Sequence, residues 1–258
     1  VLGLSPLLLS LLASEFLPGF LAPHRALLWC GVLFAIFAII ERMKHPTLSE
    51  EKKLWKRGYK RVACLDEAGR GPLAGPVVAA AVIIGRSDLP ISKNFRRSDL
   101  LNIKDSKKLS PKQREKFYEL ITGNKSIKWG IGIVSEKVID KINILEATKL
   151  AMKKAVENVS PKEKRSPEYR IDYLILDGKM ELNLSIPQKS IVKADEKVFS
   201  CAAASIIAKV TRDRIMFRYH KKYPRYKFDK HKGYPTALHR QMLKQYGPCQ
   251  IHRKSFKM

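Results

Sequence analysis

The stretch that decides the fold reads VACLDEAGRGPLAGP and occupies residues 62–76. An apolar run typical of a β-strand leads directly into two adjacent carboxylates, Asp66 and Glu67, which repel each other unless a cation holds them. Glycines flank Arg70, and because they carry no Cβ atom the backbone can approach a ligand closely there. Carboxylates of this kind suit a hard divalent ion. Beside a basic loop, they predict a metal-dependent site that handles phosphodiesters, and therefore nucleic-acid chemistry.

The charge of the chain favours the same class of partner. Its 258 residues include 50 Lys and Arg against 24 Asp and Glu, a formal charge of +26. Such a field attracts polyanions and makes association salt-dependent. A non-catalytic protein that binds nucleic acid, such as a ribosomal or chromosome-associated factor, would carry the same charge. Charge therefore selects the partner and leaves the reaction open.

The cysteines and the N-terminal segment bear on location. The four cysteines form no C-x-x-C pair, which argues against a zinc site or a disulfide framework and favours the cytoplasm. Residues 1–42 are apolar, but their uncharged run at 26–40 is shorter than the about 20 residues that usually span a bilayer. We expect translation to begin at Met43, with a membrane tether as the alternative. Residues 43–258 then form the working domain.

The pattern after Met43 is that of one α/β domain. Apolar and β-branched runs predict strands, helical periodicity predicts helices, and Ser-Pro at 110–111 is a helix start. Strands are predicted at 61–65, 77–84, 127–134, 173–177 and 191–195, and helices from 47–51, at 111–121, 143–159, 198–220 and 236–246. This order suggests a mixed β-sheet covered by helices.

Acidic residues close three of the predicted strands. Asp66 and Glu67 end the first, Asp177 the fourth and Asp195 the fifth. Functional side chains of open α/β sheets gather at strand ends, so we expect these four acids to converge. A lone Asp at a strand end is usually a turn former, but four such acids in a basic protein favour a metal site. A non-catalytic binding protein has no use for them, because carboxylates beside phosphate weaken binding unless a metal intervenes.

Seven motifs together resemble those of ribonuclease HII, the type 2 ribonuclease H. They occur in the family's order and cover about residues 60–256. The motifs are DEAGRGP at 66–72, DSKKLS at 105–110, LDG at 176–178, KAD at 193–195, SIIAKVTRD at 205–213, HKGYPT at 231–236 and HRKSF at 252–256. Residues 1–42 match nothing in that family.

The resemblance implies a fold, an activity and a cellular role. The fold would be ribonuclease H-like, a mixed sheet flanked by helices with further helices at the C-terminus. The activity would be metal-dependent hydrolysis of RNA in RNA–DNA hybrids, with cutting on the 5′ side of single ribonucleotides embedded in duplex DNA, leaving a 3′-hydroxyl and a 5′-phosphate. The role would be removal of primer RNA and misincorporated ribonucleotides during DNA replication. We expect a monomer that binds nucleic acid and no membrane; its protein partners are unknown from the sequence.

The resemblance also assigns the metal ligands. Asp66, Glu67, Asp177 and Asp195 match the family's four metal-binding carboxylates, and the cofactor would be Mg²⁺ or Mn²⁺. Two ions about 3.5–4 Å apart would activate water and relieve charge on the phosphate; we expect Asp66 and Asp177 to share them. The family commonly has glycine where this chain has Ala194. If that position needs a positive φ, Ala194 would strain the loop by about 1 kcal/mol and disturb Asp195.

Substrate-binding residues follow in the same way. The loop of Gly69, Arg70 and Gly71 matches the loop that senses the ribose 2′-hydroxyl, and Tyr234 matches the tyrosine that stacks at the RNA–DNA junction. Basic residues in the motifs are the expected phosphate contacts: Lys107, Lys108, Lys209, Arg212 and Lys232. Lys209 and Arg212 are ranked first, because residues three apart share a face of a helix.

Overall fold

The computed structural model describes residues 45–84, 103, 106–159 and 170–257, without the side chain of Lys108. Several predicted features lie outside these residues. They are the N-terminal segment 1–42 with Met43, and Asp105 of the second motif.

Five strands and seven α-helices carry the described fold. The strands are β1 (Val62–Ala68), β2 (Val77–Ile84), β3 (Ile127–Val134), β4 (Tyr173–Asp177) and β5 (Gln188–Ile191). The helices are α1 (Ser49–Lys56), α2 (Pro111–Gly123), α3 (Glu136–Val159), α4 (Ala194–Lys197), α5 (Phe199–Lys222), α6 (Phe228–His231) and α7 (Ala237–Tyr246), with 3₁₀ turns at Ser106–Lys108 and Pro224–Tyr226. Among the described helices, none combines the length and the apolar character needed to cross a membrane.

The strands form one mixed sheet in the order β3-β2-β1-β4-β5. The β1–β2 and β2–β3 pairs are antiparallel, whereas β1–β4 and β4–β5 are parallel. Every residue of β2 is buried, because a helix covers each face of the sheet. This confirms the predicted mixed sheet flanked by helices.

Helix α3 packs on one face of the sheet and α5 on the other. Alternate residues of β1 separate between the two cores: Leu65 packs with α3, and Cys64 packs with Cys201 of α5. Glycine lets α3 approach β3, since a Cβ atom on Gly132 would overlap the carbonyl of Ala151. Successive side chains of β1 therefore point alternately toward α3 and toward α5, and this decides on which side of the sheet each one reaches the site.

Local signals identified most elements, with two informative differences. The strands predicted at 77–84, 127–134 and 173–177 are confirmed, as is the helix start at Ser110, whose side chain accepts from the Gln113 amide in a capping box. The helix predicted from residue 143 begins earlier, at Glu136, and is kinked at Asn143, where φ is 64°.

The predicted fifth strand at 191–195 is wrong in its bounds. Strand β5 ends at Ile191, and Asp195 lies in the short helix α4. The chain leaves the sheet because Lys193 adopts a left-handed conformation, with φ 57° and ψ 48°. Asp195 therefore reaches the site from a helix rather than from a strand end.

Candidate active site

Three of the four predicted acids meet at one end of the sheet. Strands β1 and β4 run parallel with Leu65 opposite Leu176, so Asp66 and Asp177 follow at neighbouring positions. Asp195 joins them from α4. Carboxylate oxygens of these three residues lie within 4.8 Å of one another. That spacing and the all-oxygen donor set suit a hard divalent cation.

A backbone hydrogen bond fixes Asp195 relative to Asp177. The amide of Ala194 donates to Asp177 Oδ1 at 2.6 Å. Ala194 is buried and helical, and positive φ occurs instead at Lys193. The strain expected at Ala194 is therefore not there, and alanine fits this position.

The fourth acid, Glu67, leaves β1 on the opposite face from Asp66. Successive strand side chains alternate, so Glu67 falls on the α3 side of the sheet and outside the group of three. Its Oε1 pairs with Arg70 Nη1 at 3.3 Å, while its Oε2 is buried without a hydrogen-bond partner. Among the described residues, the same is true of one oxygen each in Glu51, Glu136 and Asp229. What ties Glu67 to the other acids is that, besides burial, repulsion from Asp177 raises the pKa of Glu67.

The electrostatics of the site favour a cation. Burial raises the pKa of Asp66 well above its ordinary value, and repulsion from Glu67, Asp177 and Asp195 raises it further. Burial also raises the pKa of Glu67, although Arg70 partly offsets it. Like charges held in a buried site destabilise one another unless a positive ion neutralises them.

The second motif contributes one cation near the acids. Lys107 Nζ lies 3.5 Å from Asp195 Oδ2, and the Lys107 side chain is largely exposed. The 3₁₀ turn that carries it is anchored by a 2.8 Å hydrogen bond between the hydroxyls of Ser106 and Ser205. Lys107 is thus held beside the site, and Lys108 follows it in the same turn.

Of the two glycines in the loop, only Gly69 is required by the fold. Gly69 has φ 101°, and a Cβ atom there would collide with the Arg212 side chain and lie 2.7 Å from the carbonyl oxygen of Pro76. At Gly71 a Cβ atom would meet nothing within 4 Å. Packing therefore explains Gly69, whereas the space beside Gly71 is open to a ligand.

Two buried arginines hold this loop, and one of them differs from its predicted role. Arg212 was expected to contact phosphate, but it is fully buried and donates to the carbonyls of Pro76, Lys232 and Ala74 at 3.0–3.1 Å. A guanidinium that is enclosed and bonded to three backbone carbonyls supports the loop instead. Only the fold shows this, because helical spacing in the sequence does not tell whether the face that carries Arg212 is buried or exposed.

Sequence reasoning missed the other arginine, Arg253. It is also fully buried, and its guanidinium donates to the carbonyls of Gly69 at 2.6 Å, Arg70 at 3.0 Å and Gly75 at 2.9 Å. In the sequence, Arg253 is marked only by its place in the HRKSF motif. Arg253 thus holds the backbone of the glycine loop from the protein interior.

The remaining predicted contacts surround Tyr234. Its ring is 37% exposed and lies 5.6 Å from the Arg212 guanidinium and 5.5 Å from Lys209 Nζ. Lys209 also pairs with Asp213 at 2.9 Å. Lys232 is half-buried, and its amine donates to the Asp229 carbonyl. A groove of about 1010 Å³ lies between α2, α5 and the turn that follows α6, and it is bordered by Tyr234, Lys209, Asp213 and Lys232.

The sequence matches a protein-family model over most of its length. The ribonuclease HII model matches residues 63–258. A ribonuclease HII of Chlamydia muridarum is 52% identical over 206 residues, which cover 80% of this chain and 86% of the relative. One of Acetivibrio thermocellus is 53% identical over 206 residues, or 80% of this chain and 73% of the relative.

Solved structures show the same fold. The RNase HII of the PCNA complex from Archaeoglobus fulgidus superimposes with a TM-score of 0.59 at 27% identity, covering 77% of this chain and 96% of that one. Ribonuclease H2 from Pyrococcus horikoshii gives 0.57 at 29% identity, with 76% and 94% covered. Bst-RNase HIII in complex with Mn²⁺ gives 0.51 at 18% identity, with 73% and 63% covered, a likeness of fold alone.

Proposed function

The chain belongs to the ribonuclease HII family and is a metal-dependent ribonuclease H; from that premise we propose that it also cuts duplex DNA on the 5′ side of single embedded ribonucleotides. Its nucleic-acid substrate class is the RNA–DNA hybrid. The observation that carries the proposal is the cluster of Asp66, Asp177 and Asp195, with oxygens within 4.8 Å, beside a glycine loop with open space at Gly71.

We assign the metal to the four predicted carboxylates. Asp66 and Asp177 would be shared between two ions, Glu67 and Asp195 would complete one site each, and Mg²⁺ or Mn²⁺ suits the oxygen donors. When bound, the ions supply an activated water and charge neutralisation at the phosphate. The Ala194 amide holds the Asp177 carboxylate in place through Oδ1. Products would carry a 3′-hydroxyl and a 5′-phosphate.

Recognition of ribose would rest on the backbone of the glycine loop. A 2′-hydroxyl both donates and accepts hydrogen bonds. The carbonyls of Gly69 and Arg70 already accept from Arg253, which favours the loop amides as the donors that the 2′-hydroxyl meets. Gly71 lets the sugar come close, since no side chain occupies that space.

Recognition of the junction would rest on Tyr234. Its ring is exposed, and its backbone is tied to the segment that follows the glycine loop, because the Leu73 amide donates to the carbonyl of Gly233 at 2.8 Å. Stacked on the deoxyribose that follows the ribonucleotide, the ring would leave no room for a second hydroxyl. Lys107, Lys209 and Lys232 are the proposed phosphate contacts, with Lys108 beside them in sequence.

We further propose that residues 43–258 are the catalytic domain of a monomeric, cytoplasmic enzyme that removes misincorporated ribonucleotides and primer RNA. Within the residues that the structure describes, the acids, the glycine loop and Tyr234 all belong to the compact unit His45–Met258.

The test compares two labelled substrates, a DNA duplex with one ribonucleotide and a continuous RNA–DNA hybrid, with Mg²⁺, Mn²⁺ or EDTA. We expect metal-dependent cutting 5′ of the ribonucleotide by the wild type. Tyr234→Ala should lose junction cleavage about tenfold more than hybrid cleavage, with the about 1–3 kcal/mol of an aromatic–base contact as the scale for this aromatic–sugar contact. Equal losses on both substrates would remove Tyr234 from junction recognition. Binding without cutting under every metal would support the non-catalytic alternative.

A further inference from the structure

Three buried histidines lie beneath the turn that carries Tyr234, and the mechanism above uses none of them. His231, His239 and His252 are at most 6% exposed. The rings of His231 and His239 stack with centroids 4.2 Å apart, and His239 Nε2 lies 3.0 Å from His252 Nε2. Two imidazole nitrogens at that distance share one proton between them, so each ring must have a defined tautomer.

The proton on His252 is fixed by its neighbours. The backbone amide of Cys249 donates to His252 Nδ1 at 2.8 Å, so Nδ1 is the acceptor and Nε2 carries the hydrogen. The carbonyl of Cys249 is farther from Nδ1, at 3.3 Å. His252 therefore donates from Nε2 toward His239.

The proton on His239 is fixed independently, and it agrees. His239 Nδ1 lies 2.9 Å from the carbonyl oxygen of Tyr234. A carbonyl only accepts, so Nδ1 carries the hydrogen and Nε2 is free to accept from His252. Changing one tautomer alone would leave two lone pairs or two hydrogens facing each other across 3.0 Å. Reversing both would aim a bare His239 Nδ1 at the Tyr234 carbonyl oxygen and a His252 Nδ1 hydrogen at the Cys249 amide. The hydrogen bonds thus run in one direction, from Cys249 through His252 and His239 to Tyr234.

The third histidine holds the adjacent peptide. His231 Nε2 lies 2.7 Å from the carbonyl of Tyr226 and donates to it, while its Nδ1 accepts from the Gly233 amide at 3.2 Å. Burial lowers the pKa of all three histidines, that of His239 to about 4. All three are therefore neutral at physiological pH, as this hydrogen-bond pattern requires.

We propose that His252 and His239 are positioning residues for Tyr234, acting as a directional pair of neutral imidazoles that fixes the peptide from which the aromatic ring projects. The inference rests on the proposed function, since it assumes that Tyr234 reads the junction. A mere space-filling role would need neither tautomer. The pair would determine how sharply the enzyme separates a junction from a continuous hybrid, while the acids determine whether it cuts at all.

Matched amide substitutions separate the two roles. An Asn side chain places its amide where imidazole Nδ1 stood, and a Gln side chain reaches the place of Nε2. His239→Asn keeps the donor to the Tyr234 carbonyl, whereas His239→Gln loses it. At position 252 the pattern reverses: His252→Gln keeps the donor to His239, whereas His252→Asn loses it.

The measurement is the ratio of kcat/KM on the single-ribonucleotide duplex to kcat/KM on the continuous hybrid, in the full chain with Mg²⁺. We expect His239→Gln and His252→Asn to lower this ratio about tenfold, the change that loss of one hydrogen bond supports. His252→Gln should stay within about twofold of the wild type. His239→Asn keeps the donor to Tyr234 but loses the acceptor for His252, so its ratio should fall by less than that of His239→Gln. Because hybrid cleavage is the reference, partial unfolding lowers both rates and leaves the ratio unchanged.

Equal ratios in all four variants, or losses that follow side-chain volume instead of the reciprocal pattern, would overturn the inference. Tyr234→Ala in the same assay keeps the two proposals apart. If it fails to lower the ratio, the role of Tyr234 itself is wrong. If it lowers the ratio and the histidine variants show no reciprocal pattern, only the positioning role is wrong.

Discussion

Two buried polar regions lie side by side in this protein and obey opposite rules. The acid crevice consists of Asp66, Glu67, Asp177 and Asp195; the support consists of Arg212, Arg253, His231, His239 and His252. In the crevice, burial and mutual repulsion raise the pKa of Asp66, and one oxygen of Glu67 has no hydrogen-bond partner. In the support, Arg212 makes three hydrogen bonds and Arg253 four, all to backbone carbonyls.

The difference separates two ways of building a site. In the acid crevice, buried carboxylates repel one another, and this repulsion destabilises the metal-free protein. Where a loop must present its backbone to a sugar, the fold satisfies each buried donor in advance, so that the loop is preorganised. The crevice is therefore completed by its ligand, whereas the support is complete without one.

The largest expected effect comes from neutralising the crevice. Asp66→Asn should lower cleavage at least a thousandfold, because a shared metal ligand is lost. The same change should raise the free energy of unfolding without metal by about 1 kcal/mol, since it removes a buried charge among like charges. Cleavage assays and urea unfolding in EDTA measure the two effects.

Asp172→Asn is the matched control for that experiment. Asp172 accepts from the amides of Lys60 and Arg61 at 2.8 Å, away from the acids. Its neutralisation should leave cleavage intact and lower stability slightly. If Asp66→Asn instead destabilised the metal-free protein, the crevice would not be the unsatisfied region described above.

The next effect comes from breaking the support. Arg253→Met removes a buried guanidinium and leaves the carbonyls of Gly69, Arg70 and Gly75 without their donors, which should cost about 3–5 kcal/mol. Urea unfolding at neutral pH measures it. Arg218→Met, which truncates an exposed arginine, should change stability by no more than about 0.5 kcal/mol. Similar losses in both variants would show that the buried hydrogen bonds contribute little.

The smallest effect is the pH dependence of the support. Folding lowers the pKa of His239 from 6.5 to about 4, because burial disfavours the charged ring; His231 and His252 add to this. Between these values the unfolded chain binds a proton that the folded chain refuses, so this contribution is present above pH 6.5 and is lost as the pH falls toward 4. The loss should reach about 3 kcal/mol.

The measurement is the free energy of unfolding at pH 7 and at pH 4 for the wild type and for His239→Asn. Subtracting the two curves isolates His239 from the carboxylates, which are the same in both proteins and whose pKa values are raised at Asp66 and Glu67 but lowered at Glu50 and Asp140. The wild type should lose more stability than the variant on acidification. Parallel curves would mean that His239 is protonated in the folded protein.

Much of the fold was predictable because its signals are local. Strands at 77–84, 127–134 and 173–177 follow from apolar runs, and the helix at Ser110 follows from its capping sequence. The bounds of the fifth strand are not predictable in this way. Lys193, two residues after its end, adopts a left-handed conformation, and a lysine does not announce that conformation in the sequence as a glycine would. Arg212 was assigned to phosphate for a similar reason: helical spacing defines a face of α5 but not whether that face is covered.

The sequence by itself determined the chemistry of this protein: the identity of the acids, the glycine loop, the basic charge and the family to which they belong. Residue types and their order along the chain suffice for that, because the oxygen donors of a carboxylate and the missing side chain of a glycine are properties of the residue itself. Only the tertiary structure decided which acids meet, which arginines are enclosed and which nitrogen of each histidine carries the proton. Those properties depend on partners far apart in the chain, such as Arg253 and Gly69, and a hydrogen bond between them exists only after the chain has folded.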